Sequence, residues 1–257
     1  MGDELLYSVA DGVGTVTLNR PAKRNALNRA LLDGLAASFE RLEGDPAVQV
    51  VVVRSNGPAF CAGMDLDELA RQQDTQADPE ASVVTVLGRI EQCRHPTLAV
   101  VHGDAFAGGL ELALHCDLRV AAEHARFAMP LARLGLVVPF ALGQKLVEIV
   151  GPAMTRQILF TGRPLTARRA YEIGLVHEVA PAAELERVVG EVTRTIAANA
   201  PLSLRGMKHT ILRALTAREG IAHADLDALA ARARRSRDAR EGVRAMLEKR
   251  APDFRGE

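Results

Sequence analysis

The sequence carries no excess charge of either sign. Lys and Arg together number 32, Asp and Glu also 32, and the formal net charge is zero. Nothing in that balance points to a nucleic-acid or membrane surface, and a neutral chain lacks the self-repulsion that keeps copies apart, which suits an oligomer. Cysteine is scarce. Cys61, Cys93 and Cys116 are odd in number and widely spaced, which gives neither a disulfide framework nor a zinc-ligand pairing, and no metal site is expected. The opening residues Met1-Gly2-Asp3-Glu4 show no basic segment followed by an apolar run, so no signal peptide is expected. No uninterrupted apolar stretch is long enough to span a bilayer. The expectation is a cytoplasmic protein.

What is present is an ordinary globular composition, 48% hydrophobic and 25% charged over 257 residues, enough for one large domain or a domain with an appendage. Residues 7–10 and 14–19 cluster β-formers around Asp11-Gly12, a hairpin signal. Leu27, Leu31, Leu35, Phe39 and Leu42 then recur at helical spacing. Residues 48–53 are a β-branched run, as expected of a strand buried on both faces. The turn Ser55-Asn56-Gly57-Pro58 follows, and after it Phe60-Cys61-Ala62-Gly63-Met64-Asp65-Leu66. A polar stretch from 72 to 81 reads as a loop, 83–93 as a helix and 98–101 as a second buried strand. A second glycine-bearing turn, His102 to Gly109, leads to a helix at 111–115 and a strand at 117–121.

Strand, glycine turn and helix thus recur, the mark of an α/β fold with helices on parallel strands. In the last third, Thr166 caps a helix through Ile173 that Gly174 stops, 175–179 is a short strand, and Leu185, Val188, Val189, Val192 and Ile196 form one helical stripe. Everything after Pro201 reads as helix. The expected division is an α/β core over 1–195 and a helical appendage over 196–257.

A glycine directly after a buried strand lets the backbone approach a ligand closely. Two such turns are able to aim two peptide N–H groups at one point, where they stabilise a developing oxyanion; losing one such donor typically costs about 2.7–4 kcal/mol of barrier. Gly108-Gly109 opens a helix whose N-terminal end adds partial positive charge, and Glu111 falls in its first turn. Glycines at strand ends also serve as plain turns, and an acid in a first helical turn as a dipole partner, so physics alone leaves both readings open. Dinucleotide binding is disfavoured, because neither turn contains Gly-x-Gly-x-x-Gly and no Gly-Lys-Ser/Thr follows either.

At these residues the sequence resembles the crotonase, or enoyl-CoA hydratase/isomerase, superfamily. Asn19 to Asn28 is similar to the family's first CoA-contacting loop, Phe60 to Leu66 to its first oxyanion loop, and Gly103 to Asp117 to its second. Leu159-Phe160-Thr161-Gly162 with Ala170 and Gly174-Leu175-Val176 fits a later signature, and Glu248-Lys249-Arg250, Pro252 and Phe254 a C-terminal one. The resemblance implies a spiral of repeated ββα units with a helical C-terminal appendage that assembles trimers or dimers of trimers. It implies an oxyanion hole from the N–H groups of Ala62 and Gly108, and CoA contacts by Lys23, Arg24, Ala26, Cys61, Ala62 and Lys249. The implied ligand is an acyl-CoA or enoyl-CoA of fatty acid metabolism. Coenzyme A would then be part of the substrate, with no separate cofactor. Lys249 suits phosphate as a compact point charge, though a solvated surface lysine has the same sequence.

The resemblance breaks at one catalytic position. Family hydratases use two glutamates across C2=C3; Glu111 matches the first, but Leu131, after Pro130, stands where the second belongs. Losing a positioned acid or base typically costs about 10²–10⁴-fold, which argues against efficient two-carboxylate hydration. Leu136-Val137-Val138-Pro139-Phe140-Ala141 replaces a glycine-rich stretch, and its Pro-Phe pair is similar to some family isomerases. A single Glu111 is able to remove a proton beside the thioester and return it elsewhere. Isomerisation of an enoyl-CoA is therefore favoured over hydration. The alternatives are an acyl-CoA-binding homologue without turnover, or a CoA-thioester hydrolase or decarboxylase. His102 and His115 read as packing or capping residues, Cys61 as packing, and Asp65 as a tie for its own loop.

Overall fold

The computed structural model describes residues 4–72, 79–215 and 220–256. The chain opens with the antiparallel hairpin β1 (Leu5–Ala10) and β2 (Val13–Leu18), turned by Asp11 and Gly12, both at positive φ. Helix α1 (Arg29–Gly44) follows; the Asn28 side chain caps it by accepting from Leu31 N at 2.9 Å. The chain then runs three times through a long strand, a short strand and helix. The first passage is β3 (Val50–Ser55), β4 (Ala59–Cys61), α2 (Leu66–Gln72) and α3 (Pro79–Gln92). The second is β5 (Thr97–Val101), β6 (Asp104–Phe106) and α4 (Gly108–Leu114). The third is β7 (Leu118–Ala122), β8 (Arg126–Ala128) and α5 (Phe140–Thr161), a helix broken at Gly151 just before Pro152. Strand β9 (Leu165–Thr166), α6 (Ala167–Glu172) and β10 (Glu178–Ala180) complete the core.

These repeats wind into two sheets. The long strands form one in the order β1-β2-β3-β5-β7-β10, parallel from β2 onward; the short strands form the other, β4-β6-β8-β9. This is the repeated ββα spiral that the resemblance implies. The β-branched run in β3 alternates its burial. Val51 and Val53 face the core that holds Leu31, Leu35, Leu87 and Ile90 of α1 and α3. Val52, with Leu98, Val100 and Val120, instead faces Leu185 and Val189 of α7 (Leu185–Ala197). Both faces are covered, which is why the run is continuous rather than alternating.

Several expectations shift. The small sheet has strands of two or three residues, too short to leave a period in sequence. The stretch 72–81 was expected as loop; residues 73–78 lie outside the described residues, and α3 already begins at Pro79. The strand expected at 175–179 pairs only at 178–180; Leu175 and Val176 instead donate their N–H groups to the Ala170 carbonyl, closing the turn after α6.

The C-terminal helices α8 (Pro201–Leu215), α9 (Ala224–Arg234) and α10 (Arg237–Leu247) fold back on the core. The buried Lys208 pins α8 by donating to the His95 carbonyl at 3.1 Å and to Asp117 Oδ2 at 2.8 Å. Helix α10, capped by the Ser236 hydroxyl, buries Ala239 and Val243 against Leu69, Leu134 and Leu136.

Candidate active site

Strand β4 ends at Cys61 and leads through Ala62–Asp65 into α2; β6 ends at Phe106 and leads through Ala107 into α4. The two strands are parallel neighbours, so both turns leave one sheet edge side by side. They touch. A Cβ on Gly63 (φ +98°) would stand 2.9 Å from Ala107 Cβ and 3.3 Å from Gly108 N. Only glycine fits there. Ala107 adopts φ 47°, ψ −120° without being glycine, a conformation of the kind that costs on the order of 1–3 kcal/mol and persists where its surroundings dictate it.

Hydrogen bonding separates the amides of these turns. Ala62 donates to the Arg24 carbonyl at 3.0 Å, Asp65 to the Leu27 carbonyl at 3.0 Å, and Ala107 to the Ala128 carbonyl at 2.8 Å. The N–H groups of Met64 and Gly108 find no acceptor among the described residues. The expectation that Ala62 supplies a free donor is therefore corrected. Its N–H holds the 20–28 loop against the end of β4, and the unengaged amide of the first turn belongs to Met64.

A cavity of about 380 Å³ opens at these amides, lined by Ala62, Met64, Ala107 and Gly108 on one side. Leu69, Val83, Leu131, Leu136, Val138, Leu142 and Met246 of α10 make much of the rest. Glu111 is the only acidic side chain among its lining residues; the basic ones are Arg24 and Arg133, both largely exposed. Leu131 lines the same cavity as Glu111, so the place expected for a second carboxylate is filled by hydrocarbon.

Glu111 sits one turn into α4, its N–H on the Ala107 carbonyl at 3.1 Å. Its residue exposure is 1%, and neither carboxylate oxygen has a hydrogen-bond partner among the described residues. Burial pushes its pKa well above the ordinary carboxylate range, although the Lys145 ammonium pulls the other way. Such an orphaned acid is costly to fold and is a common mark of a proton-transfer group.

The remaining site expectations fall into place individually. Lys23 closes a 3-10 turn and pairs with Asp67 at 3.0 Å, both exposed. Arg24 and Asn25 follow at φ 49° and 55°. Ala26 is buried, and its carbonyl accepts from the Arg20 guanidinium. Cys61 is fully buried and its thiol is pushed up to about 12 by desolvation, which fits packing and not nucleophilic attack. Lys249 lies exposed just past α10, three residues after Met246. His102 and His115 both bond main-chain carbonyls, of Gly57 and Glu111 respectively. Glu148 lines a second cavity, while Arg133 lines the first.

Three supporting residues escaped the sequence reading. Arg20 joins the two loops, donating to Asp65 Oδ2 at 3.0 Å and to the Ala26 carbonyl. Burial works against ionisation of Asp65, but Arg20 and the N–H groups of Glu68 and Asp67 hold its carboxyl below the usual range. The buried Asn25 donates to the carbonyls of Asn56 and Ala59, both at 2.8 Å. Arg119 caps the far end of α4, donating to the carbonyls of Ala113 at 3.1 Å and Cys116 at 2.6 Å. No periodicity signals such long-range ties; only the unusual Arg and Asn inside otherwise apolar or turn segments hint at them.

Among the described residues no helix is long and apolar enough to cross a membrane, and no group of three or more His, Cys, Asp or Glu side chains converges as metal ligands. Comparison with known proteins supplies the family. The profile of the family described as enoyl-CoA hydratase/isomerase matches residues 8–257. The chain is 35% identical to the 2,3-dehydroadipyl-CoA hydratase of Escherichia coli (strain K12), over 98% of this chain and 99% of that one. It is similar to the crystal structure of an enoyl-CoA hydratase/isomerase from Pseudoalteromonas atlantica T6c, with TM-score 0.86, 34% identity and coverage of 98% and 100%. It also superposes on a methylmalonyl CoA decarboxylase complexed with 2S-carboxypropyl CoA, with TM-score 0.91, 25% identity and full coverage of both chains. With the ββα spiral, the paired glycine turns and Glu111 lining the cavity they open on, these matches make the chain an enzyme of the enoyl-CoA hydratase/isomerase family, within the crotonase superfamily.

Proposed function

We propose that this enzyme moves the double bond of an enoyl-CoA, with Glu111 as the single base and the N–H groups of Met64 and Gly108 as the oxyanion hole. The observation that carries the reading is the composition of the cavity wall, which holds one carboxylate and has leucine at 131. With a 3-enoyl-CoA, Glu111 takes a proton from C2. The C–H electrons form C1=C2 and the thioester carbonyl becomes an oxyanion between the two amides. The protonated Glu111 then delivers its proton to C4, the electrons return, and the double bond lies between C2 and C3. Stabilisation by the amides rises as charge moves onto oxygen, so it acts on the barrier more than on binding. A carboxyl whose pKa is raised by burial is a stronger base than an exposed one, which suits abstraction of a weakly acidic C–H.

In this reading Arg24, the backbone of Ala26 and Cys61–Ala62, and Lys249 face the CoA moiety, with Lys23 held by Asp67 beside them. Decarboxylation is disfavoured by charge: a malonyl-type carboxylate would be buried next to Glu111. The assembly is taken to be a trimer or dimer of trimers. In support, α8 leaves Met207 and Ile211, one turn apart on the same side, exposed at 63% and 62%, apolar surface of the kind that marks an interaction site.

The test is to incubate the protein with a 3-enoyl-CoA and with a 2-enoyl-CoA, following positional isomers and the 3-hydroxy product, and to repeat with Glu111→Gln. Isomerisation that exceeds hydration and falls by about 10²–10⁴-fold in the variant, with thioester binding retained, is the expected result. Hydration outpacing isomerisation, or turnover untouched by the variant, sinks the reading.

A further inference from the structure

A second cavity of about 170 Å³, which Glu111 does not line, reaches His115 at the end of α4. Its lining mixes apolar side chains, among them Val84, Leu212 and Leu215, with a charged group: Glu91 from α3, His115 just after α4, and Lys145 and Glu148 from α5. Lys145 binds both Glu91 and Glu148, the latter at 3.0 Å. This cluster of half-buried charges takes no part in the double-bond shift. One residue joins it to the catalytic acid. His115, one helical turn beyond Glu111, has Nδ1 2.8 Å from the Glu111 carbonyl and 4.0 Å from the orphaned Oε2.

We propose that the second cavity is the route by which Glu111 exchanges its proton with solvent, with His115 as the link. The proposal rests on Glu111 acting as the base. A space of this size has room for several waters, and Glu91, Lys145 and Glu148 in its lining offer them charged partners. When the free ring nitrogen of His115 takes a proton from cavity water, the Nδ1 proton, held at rest by the Glu111 main-chain carbonyl, passes to the carboxylate as Oε2 swings in from 4.0 Å to hydrogen-bond reach; the reverse sequence empties it. Charge is conserved over the ring and no bond to carbon changes. Burial keeps the imidazole neutral, with one nitrogen to give and one to receive. His115 touches Glu111 and not the substrate, so it acts through that residue. The acyl cavity then stays dry while its acid remains in contact with water through His115.

Isotope partition tests this. In D2O, the deuterium gained by the product per turnover of a 3-enoyl-CoA reports exchange on Glu111 during the life of the dienolate. Gly88 lines the second cavity, and a Cβ there meets nothing within 4 Å, so Gly88→Leu fills the route without touching Glu111. Gly88→Leu and His115→Leu are expected to cut deuterium gain about tenfold, Gly88→Leu with turnover kept. Unchanged deuterium gain in both variants overturns the proposal, as does turnover that falls in step with it in both. Exchange of the α-protons of a saturated acyl-CoA reads the same route without isomerisation. If the wild type exchanges those protons but isomerises nothing, the isomerase reading fails alone; if it exchanges none, the relay fails.

Discussion

Gly109 and Cys61 approach so closely that a Cβ on Gly109 would stand 2.2 Å from the Cys61 carbonyl oxygen and 2.7 Å from its Cβ. The second glycine turn is therefore seated on the first through bare backbone. Gly109→Ala must push β4 and α4 apart, and the expected loss is at the upper end of the ~1–3 kcal/mol that overpacking costs. Urea unfolding measures it. Gly206→Ala is the contrast: in the exposed middle of α8, with nothing within 4 Å of a Cβ, it should gain about 0.5–1 kcal/mol.

Glu111 links activity to stability. Its pKa lies above the ordinary 4.5 because burial penalises the charge. The native state therefore holds the proton more tightly than the unfolded chain, and stability falls as pH rises from the ordinary value through the raised one. Glu111→Gln removes that loss. Its melting temperature should exceed that of the wild type more at about pH 8 than at about pH 5, by about 2–4 °C for each kcal/mol relieved. A gain independent of pH would contradict the burial argument.

Leu131 is where the hydration chemistry can be put to the test. Leu131→Glu returns a second carboxylate to the wall that Glu111 faces, and 3-hydroxyacyl-CoA formation from a 2-enoyl-CoA should rise by about 10²-fold or more. Product analysis decides it. A variant that folds and still hydrates no faster would mean that residue 131 is not what limits hydration.

Arg119 is 4% exposed and spends its donors on carbonyls, bonding Leu175 at 2.6 Å besides the end of α4. Its pKa is pulled down to about 10 by burial. Arg119→Met leaves those acceptors stranded, at ~1–3 kcal/mol each, and should lower the unfolding midpoint steeply. Arg119→Lys should recover part of it, since one ammonium cannot reach as many carbonyls as the guanidinium fork.

The long strands β3 and β5 were legible because each is a short β-branched or aliphatic run ended by a glycine turn, as at 48–53 and 98–101. The amphipathic helix from Leu31 to Leu42 was legible by its period. The site was legible as types: glycines after strands, an acid in the next helix, leucine where a second acid belongs. Which amide is free was not, because it depends on a bond between residues 24 and 62, from segments that sequence spacing cannot place against each other. The small sheet and α10's return to the cavity were hidden for the same reason, since two- and three-residue strands and Met246 acquire meaning only from distant partners.

Met246 makes the last helix a wall of the acyl cavity, while Met64 and Ala62 form another wall a quarter of the way along the chain. In the proposed reading, a bound thioester bridges parts of the polypeptide that emerge far apart during synthesis. Substrate should slow amide exchange throughout α10 as well as in the glycine turns, and a variant that loosens α10 should weaken affinity in proportion to the docked population it removes.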